Sequence, residues 1–306
     1  MQEVITHTIA QVSTVLLGKE PQIRLALACL LSRGHLLIED LPGMGKTTLS
    51  HALARVMGLS YTRIQFTSDL LPADVLGVSV FDKNTGSFAF HPGPIFNQLI
   101  LADEINRTTP KSQSALLEAM EEQQVTIEGE TRPLPKPFFV IATQNPNNQG
   151  GTFALPESQL DRFLMRIELG YPDPAAERQL LKGEDRRDVL SRLQPTMTSA
   201  QLAEMQAQCQ HVKVSDALLD YIQRLVLFTR QAPEFAYGLS PRGALALLAA
   251  AKSWAFLEDR LHVVPEDVQA VLPSVVEHRL RETADFSGHG AGGLTQRLLS
   301  KVDIIG

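Results

Sequence analysis

The stretch EDLPGMGKTT, residues 39–48, constrains this chain more than any other part of its sequence. It follows a short apolar run at residues 36–38, which is typical of a buried parallel strand. It leads into residues 47–57, where apolar side chains recur at the spacing of one helix face. The stretch is therefore predicted to be a loop that joins a strand to a helix.

A loop of this kind is the setting in which proteins bind phosphate groups. Gly43 and Gly45 allow the backbone to turn so that successive N–H groups point at an anion, and the helix N-terminus adds partial positive charge. Lys46 is expected to reach the β- and γ-phosphates, and the Thr47 hydroxyl is expected to bind Mg²⁺. Asp40 replaces the first glycine of the pattern G-x-x-x-x-G-K-[ST], and we expect it to tolerate unusual backbone angles there. The predicted nucleotide-binding residues of the loop are Asp40, Leu41, Pro42, Gly43, Met44, Gly45, Lys46, Thr47 and Thr48.

Two acids follow a second predicted strand. Residues 99–102 are apolar, and Asp103 and Glu104 come directly after them. Ligands of open parallel sheets bind at the carboxyl ends of the strands. Asp103 is therefore expected to hold Mg²⁺ through water, and Glu104 is expected to orient and deprotonate the attacking water. Two acids after a strand can also be a plain solvated turn, but the phosphate-binding loop favours the catalytic interpretation.

Two more strands are predicted, at residues 138–143 and 163–169. Asn145 follows the first of them, where its amide can hold the attacking water or the γ-phosphate. Arg162 precedes the second and stands next to Asp161. An arginine at this position can form a simple ion pair, or it can act as an arginine finger.

These segments resemble the MoxR family of AAA+ ATPases, and the similar segments cover most of the chain. The resemblance is carried, in order, by LLGKEP, EDLPGMGKTT, LADEINR, FFVIATQNP, LPESQLDRF and GLSPRG. It implies that Lys46 and Thr47 are the Walker A pair and that Asp103 and Glu104 are the Walker B pair. It also implies that Gly18 contacts the nucleotide.

Further roles are implied by the same resemblance. Asn145 corresponds to sensor 1, Arg162 resembles the arginine finger that is supplied to a neighbouring subunit, and Arg242 resembles the sensor 2 arginine of the helical lid. Gln65, at the end of the predicted strand YTRIQF, matches a polar switch residue that faces Glu104. A polar residue at a strand end can equally be a hydrogen-bonding end cap.

The predicted fold is α/β: an AAA+ P-loop core with a parallel five-stranded sheet at residues 1–172, followed by an all-α lid at residues 173–306. The lid helices are expected at residues 175–190, 199–208, 216–230, 240–257 and 265–280. Residues 286–293, FSGHGAGG, have the composition of a flexible linker, and residues 294–305 are expected to form a short terminal helix or tail.

Two inserts in the core, residues 74–96 and 124–137, are each predicted to form a β-hairpin, and DKNTG at residues 82–86 is typical of a hairpin turn. Both can be simple surface hairpins, but in the family that the chain resembles, such hairpins face the pore of a ring and touch the client. Lys83 is the basic residue of the first insert, which argues against a DNA-gripping hairpin. The first insert is apolar at Val78, Val80, Phe81, Phe88 and Phe90, which indicates a protein-contacting surface.

Composition excludes several classes of protein. The chain has 306 residues and a net charge of −6, which argues against broad binding of nucleic acid. Its two cysteines, Cys29 and Cys209, cannot form a disulfide framework and fit a reducing cytosol. Residues 1–10 lack the features of a signal peptide, so a cytoplasmic protein without membrane insertion is expected. The eight histidines show no zinc-binding spacing.

The sequence therefore predicts an ATP- and Mg²⁺-dependent ATPase. The resemblance implies a homo-oligomeric ring, hexameric in this family, that remodels or matures a protein client, with a partner that contains a von Willebrand factor A-like domain. One alternative is a nucleic-acid motor of the helicase type, because relatives with the same inserts include replicative helicases. The acidic balance and the composition of the hairpin disfavour it. Another alternative is a small-molecule kinase. It is disfavoured because such a kinase needs neither an arginine finger nor a lid arginine nor paired hairpins.

Overall fold

The computed structural model describes residues 1–84, 86–145, 151–183, 185–283 and 293–304. The strands are β1 (Leu36–Glu39), β2 (Tyr61–Gln65), β3 (Gly77–Asp82), β4 (Ser87–Pro92), β5 (Leu99–Asp103), β6 (Gln124–Ile127), β7 (Glu130–Pro133), β8 (Phe139–Gln144), β9 (Met165–Ile167), β10 (Phe235–Tyr237) and β11 (Arg281–Glu282). The α-helices are α1 (Gln2–Val15), α2 (Glu20–Leu31), α3 (Lys46–Val56), α4 (Pro72–Leu76), α5 (Pro110–Glu122), α6 (Glu157–Leu160), α7 (Pro174–Lys182), α8 (Arg186–Arg192), α9 (Ser199–Gln210), α10 (Asp216–Gln231), α11 (Pro241–Leu257), α12 (Pro265–Val276) and α13 (Leu294–Lys301).

Five parallel strands form the central sheet in the order β2-β5-β8-β1-β9. The inner strands are almost wholly buried because helices or hairpins cover both faces, which explains their unbroken apolar sequences. Successive side chains point to opposite faces: Leu36 and Ile38 pack on the side of α1, α2 and α3, and Leu37 packs on the side of α5. The predicted five-stranded parallel sheet is confirmed.

The helical lid shares a core with one face of the sheet. The cluster that contains Leu36 and Ile38 continues into α9, α10, α11 and α12, so the lid and the α/β part are packed together without a break. Helix α11 lies between α2 and α12. Trp254 of α11 is half-buried and packs against this core, so it helps to stabilise the lid.

One predicted lid helix is interrupted. The single helix expected at residues 175–190 is wrong, because α7 ends before Gly183 and α8 begins after Asp185. Gly183 has extended backbone angles, φ −84° and ψ 173°. The Asp185 side chain then accepts a hydrogen bond from the Arg187 N–H at 2.9 Å, so it caps a new helix.

The lid also contains a short β-sheet that the helical prediction omitted. Strands β10 and β11 pair antiparallel, with Phe235 opposite Glu282. Strands of three and two residues are too short to show the alternation from which a strand is predicted. The linker predicted at residues 286–293 lies outside the described residues up to residue 292, and α13 follows it.

Two hairpins project from the α/β part. Residues 74–76 of the first predicted insert belong to α4, so the hairpin itself begins at Gly77. Gly77 has φ 106°, and a Cβ there would lie 2.4 Å from the His91 carbonyl oxygen, so a side chain cannot be accommodated. Strands β6 and β7 form the second hairpin. The Arg132 guanidinium lies 4.0 Å from the Phe90 ring centroid and joins the two hairpins. Thr85, in the predicted first turn, lies outside the described residues.

Candidate active site

The carboxyl ends of four parallel strands bring polar residues together at one edge of the sheet. Asp40 follows β1, Gln65 ends β2, Asp103 ends β5 and Asn145 follows β8. The loop between β1 and α3 lies at the same edge. The residues predicted from separate parts of the sequence are therefore neighbours, as the geometry of a parallel sheet requires.

The loop depends on two glycines in the left-handed region. Gly43 has φ 84° and Gly45 has φ 95°, and α3 begins at the next residue, Lys46. At Gly45 a Cβ would also lie 2.9 Å from the Leu16 Cδ1. The backbone N–H groups of the first turn of α3 thus open toward the loop, which is the arrangement that binds phosphate oxygens.

Asp40 is held in place by its side chain. It is absent from the described non-glycine residues that have positive φ. Its buried carboxylate accepts hydrogen bonds at 2.7 Å from the N–H groups of Leu41, Leu169 and Gly170. The aspartate at the first-glycine position therefore ties the start of the loop to the chain that follows β9.

Lys46 is buried and makes two hydrogen bonds. Its Nζ donates to the Asp40 carbonyl oxygen at 2.6 Å and to the Asn145 Oδ1 at 2.9 Å. Burial lowers the pKa of Lys46, and the carboxylates of Asp103, Asp40 and Glu104 act in the opposite direction. The ammonium is thus held at the centre of the site by neutral oxygens, with acids nearby.

Asp103 accepts hydrogen bonds from side chains on two other strands. Thr143 Oγ1 donates to its Oδ1 at 2.5 Å, and Arg63 donates to its Oδ2 through Nε at 3.0 Å and Nη2 at 2.6 Å. The same Thr143 hydroxyl oxygen accepts from the N–H of Glu104 at 2.9 Å. Thr143 and Arg63 were missed by sequence reasoning. Arg63 could have been found, because it stands two residues before Gln65 and therefore on the same face of β2.

Glu104 is surrounded by donors. Its Oε2 accepts from the Gln65 Nε2 at 3.1 Å, and its Oε1 lies 3.4 Å from the Asn145 Nδ2. The Arg107 Nη1 forms an ion pair with Oε2 at 3.1 Å, and this arginine was also missed. Glu104 has φ 56°, in the left-handed region of backbone angles. Gln65 thus contacts Glu104, as the resemblance implied.

The residues present fit a magnesium ion. Thr47 is exposed at the first turn of α3, and Asp103 has carboxylate oxygens at the same edge of the sheet. Within the described ranges there is no cluster of three or more histidine, cysteine, aspartate or glutamate residues that could hold a metal by itself. Magnesium does not need such a cluster, because it is bound by one or two protein oxygens together with water and substrate phosphates.

Gly18 lies in a turn beside the phosphate-binding loop. It has φ 68°, and a Cβ there would lie 2.9 Å from the Ala176 Cβ, at the start of α7. Leu16, in the same turn, reaches Gly45. The neighbouring Lys19 donates from Nζ to the Tyr171 carbonyl oxygen at 2.5 Å. The turn therefore lies between the phosphate-binding loop and α7.

Arg162 and Arg242 both contact Glu121. Arg162 precedes β9, whereas Lys46 follows the parallel strand β1, so this group lies at the other edge of the sheet from Lys46. The Arg162 Nη2 lies 3.1 Å from the Glu121 Oε2, and the Arg242 Nη2 donates to the Glu121 Oε1. Arg279 is buried and donates to the Asp161 Oδ1 at 2.7 Å and the Phe163 carbonyl oxygen at 2.6 Å, so it fixes the segment around Arg162. Burial lowers the pKa of Arg279, while Asp161 raises it.

Family models match both parts of the chain. The ATPase family associated with various cellular activities (AAA) matches residues 35–165, and the AAA lid domain matches residues 227–298. The chain is 40% identical to Chaperone MoxR1 of Mycobacterium tuberculosis, over 92% of this chain and 76% of that relative. It is 33% identical to Protein MoxR of Paracoccus denitrificans, over 89% of this chain and 86% of that relative. The chain belongs to the MoxR family of AAA ATPases.

Other similar proteins extend over almost the whole length of this MoxR-family ATPase. The uncharacterized protein YeaC of Bacillus subtilis is 43% identical over 99% of this chain and 96% of its own length. A crystal structure of a candidate ATPase from Cytophaga hutchinsonii is 37% identical and superposes with a TM-score of 0.90, over 99% of this chain and 95% of that one. The predictions of the family, the fold and an ATPase are confirmed. In the described part of the MoxR-family chain, no helix combines the length and apolar character that a bilayer crossing requires.

Proposed function

We propose that this MoxR-family ATPase hydrolyses Mg²⁺-bound ATP at the loop end of the sheet and that, as a homo-oligomeric ring, it uses this reaction to remodel a protein client. The observation that carries the proposal is a continuous line of contacts from Lys46 through Asn145 to Glu104. A phosphate-binding lysine and an acid suited to activate water are thereby held on either side of one amide. Residues 1–172 are proposed as the nucleotide-binding core and residues 173–306 as the lid.

The proposed roles follow from the chemistry of each group. The loop residues, Asp40 to Thr48, bind the phosphates, and Lys46 exchanges its present acceptors for phosphate oxygens. Thr47 and Asp103 hold magnesium, whose charge neutralises the β- and γ-phosphate oxygens when it is bound. Gly18, which lets α7 pack closely against its turn, is proposed to contact the nucleotide through its backbone.

Glu104 is proposed as the base. Gln65 and Asn145 donate toward its two carboxylate oxygens, and this fixes the orientation of the carboxylate. A water molecule between Glu104 and the γ-phosphate would give its proton to Glu104 while its oxygen attacks phosphorus, and the bond from phosphorus to the β-phosphate oxygen would break to release ADP. The Asn145 amide, whose oxygen now accepts a hydrogen bond from Lys46, can hold this water.

Arg162 and Arg242 are proposed to act on the nucleotide of a neighbouring subunit. Both contact Glu121, and neither is joined by a described contact to the loop of its own chain. A shared acid keeps the two positive charges together on one surface, where another subunit can offer its γ-phosphate. This arrangement supports a ring, which we expect to be hexameric, because each site then needs its neighbour.

The first hairpin is proposed to contact the client. Phe81 is 50% exposed and Phe88 is 71% exposed, and their rings form an edge-to-face pair with centroids 5.3 Å apart. Val78 and Val80 are exposed on the other face of β3. Exposed aromatic and aliphatic side chains of this kind favour a protein surface as the partner. One relative is named a chaperone, and we propose a protein with a von Willebrand factor A-like domain as partner.

Replacement of Glu104 by glutamine tests the chemistry. Glu104→Gln should bind ATP with near-normal affinity, and its turnover should fall about 10²–10⁴-fold, because the amide keeps the shape and loses the base. Glu118→Gln, an exposed acid on α5, is the matched control. Phosphate release and equilibrium dialysis with labelled ATP give the two quantities. Near-normal turnover by Glu104→Gln would assign the base to another residue.

Replacement of the two exposed phenylalanines tests the client surface. The Phe81→Ser/Phe88→Ser variant should keep its basal ATPase rate and lose stimulation by a purified protein that contains a von Willebrand factor A-like domain. Tyr237→Ser, an exposed aromatic in β10 of the lid, is the control. Single-stranded DNA is the second probe. Stimulation by DNA and not by the protein would favour the nucleic-acid motor instead.

A further inference from the structure

Arg63 contacts both acids of the site, one directly and one through a glutamine. Its guanidinium donates to the Asp103 Oδ2 through Nε and Nη2, at 3.0 and 2.6 Å. Its Nη2 also donates to the Gln65 Oε1 at 2.8 Å. Gln65 in turn donates from Nε2 to the Glu104 Oε2 at 3.1 Å. One side chain therefore joins the proposed metal ligand to the proposed base.

The strand register explains why Arg63 reaches this position. In the parallel pair of β2 and β5, Arg63 lies opposite Leu101 and Gln65 lies opposite Asp103. Arg63 and Gln65 are two residues apart, so both side chains point to the face of the sheet that carries α3. Strand β2 is an edge of the sheet, and the Arg63 side chain is 49% exposed whereas that of Asp103 is 10% exposed. The guanidinium can therefore move without disturbing the core.

We propose that Arg63 is a positioning residue that competes with magnesium for Asp103 and sets the direction of the Gln65 amide. The proposal rests on the proposed function, in which Asp103 serves magnesium. Thr143 engages the Oδ1 of Asp103 at 2.5 Å. The Oδ2 is therefore the oxygen that Arg63 and a magnesium-bound water share. Two cations beside one carboxylate repel each other, so Arg63 weakens magnesium binding.

The second effect of Arg63 concerns the polarity of an amide. A glutamine amide has one accepting and one donating end, and a half-turn exchanges them. The Arg63 guanidinium can only donate, so it holds the Gln65 Oε1, and the Nε2 must then face Glu104. Without Arg63 the amide is free to turn, and an amide oxygen that faces the Glu104 carboxylate would repel it. Arg63 thereby keeps Glu104 in the orientation that turnover requires.

Together, the two effects of Arg63 predict that one variant binds the metal more tightly and yet turns over more slowly. Arg63→Met removes the charge but keeps most of the length, so the metal should bind about tenfold tighter and kcat should fall about tenfold. Arg63→Lys keeps the charge but cannot bridge Asp103 and Gln65 at once. Its metal affinity should stay within about twofold of the unaltered protein, and its kcat should fall as in Arg63→Met. A plain structural ion pair between β2 and β5 predicts no tighter binding of the metal.

Manganese is the probe for the metal site, because its binding can be followed by electron paramagnetic resonance. The full-length chain is titrated with Mn²⁺ in the presence of a non-hydrolysable ATP analogue, and kcat with Mg²⁺-ATP and the unfolding temperature are measured on the same samples. Arg107→Met is the matched control, because it removes an equal charge from Glu104 without touching Asp103. Its Mn²⁺ affinity should change less than about twofold.

Each outcome decides for or against the role of Arg63. Unchanged or weaker Mn²⁺ binding by a folded Arg63→Met variant would overturn the competition. Unchanged kcat in Arg63→Lys would overturn the control of Gln65, even if Arg63→Met were too unstable to study. Failure of the unaltered protein to bind Mn²⁺ with the analogue, or to hydrolyse ATP, would instead refute the proposed function of the site. The two proposals therefore fail in distinguishable ways.

Discussion

The side-chain oxygen of Asn145 lies 2.9 Å from the Nζ of Lys46 and accepts its hydrogen bond. The nitrogen of the same amide is 3.4 Å from the Glu104 Oε1. A single side chain at the end of β8 thus spans the gap between the phosphate-binding lysine of the loop and the acid that follows β5. Each end of the amide suits its partner, because the oxygen accepts a hydrogen bond from the ammonium and the nitrogen donates one to the carboxylate.

Asn145→Ala should reduce turnover more than binding. Lys46 keeps its bond to the Asp40 carbonyl oxygen in the variant, so ATP affinity should change less than about threefold. Glu104 loses a donor and the attacking water loses a partner, so kcat should fall about 10–100-fold. Steady-state phosphate release and equilibrium dialysis separate the two quantities. A weaker affinity with unchanged kcat would make Asn145 a binding residue only.

Asp40→Gly should destabilise the protein, although it restores the glycine of the usual loop pattern. The change removes the acceptor of three N–H groups, those of Leu41, Leu169 and Gly170. We expect a loss of about 3 kcal/mol in the free energy of unfolding, because hydrogen bonds to a buried charge are strong and their donors would be left unpaired. Urea unfolding measures it. Asp40→Asn keeps one accepting oxygen and should lose less, whereas an Asp40→Gly variant of full stability would contradict the role of the carboxylate.

His35 should make the protein less stable as the pH falls from 7 to 5. Its Nδ1 accepts from the Val140 N–H at 3.0 Å, its Nε2 lies 3.2 Å from the Met120 carbonyl oxygen, and burial lowers its pKa to about 4. The unfolded chain, with an ordinary histidine pKa, then binds a proton that the folded chain does not. The stability is therefore complete above the ordinary pKa and decreases below it, by about 2 kcal/mol over this range.

Comparison with a variant isolates that effect. His35→Gln should remove about 2 kcal/mol of the pH dependence between pH 7 and 5, and His7→Gln, at an exposed position, should leave it unchanged. Burial also lowers the pKa of His278, so some dependence of the same sign should persist in His35→Gln. The free energy of unfolding in urea is measured at both pH values. An identical loss in His35→Gln and in the unaltered protein would show that His35 is not the group that titrates.

Local patterns in the sequence were sufficient to predict much of the site. The loop with Gly43, Gly45 and Lys46 has its own spacing, and Glu104 and Asn145 each follow an apolar run that is readable as a strand. These features depend on neighbours in the sequence, or on the fact that parallel strands end at one edge.

The features that could not be predicted depend on partners far away in the sequence. The carboxylate of Asp40 binds N–H groups of Leu169 and Gly170, which only the position of β9 beside β1 brings near. Arg63 reaches Asp103 because β2 pairs with β5 in one particular register. A strand pattern gives the face on which a side chain lies, but not the register that chooses its partner.

Arg162, which precedes β9, should act in trans, on the nucleotide of the adjoining subunit. Charge develops around the γ-phosphate during transfer, and a well-placed arginine there is worth about 10³–10⁵ in rate. Arg162 is held by Glu121 of its own chain, and no described contact joins it to Lys46. Arg162→Ala should therefore bind ATP normally and hydrolyse it very slowly. Arg281→Ala is the control, because this exposed arginine also forms an ion pair, with Glu157 at 2.8 Å.

Mixed rings distinguish action in trans from action within one subunit. When Arg162→Ala and Glu104→Gln subunits assemble together, some interfaces pair an intact site from the first with an intact arginine from the second. In random one-to-one rings about a quarter of the interfaces are complete in this way, so activity should rise well above the sum of the two separate variants. Native mass spectrometry establishes that mixed rings form, and dialysis establishes that both variants load ATP. Mixed, loaded rings without recovered activity would contradict the trans role, unless titration of unaltered subunits into each variant shows that hydrolysis needs several adjacent complete interfaces.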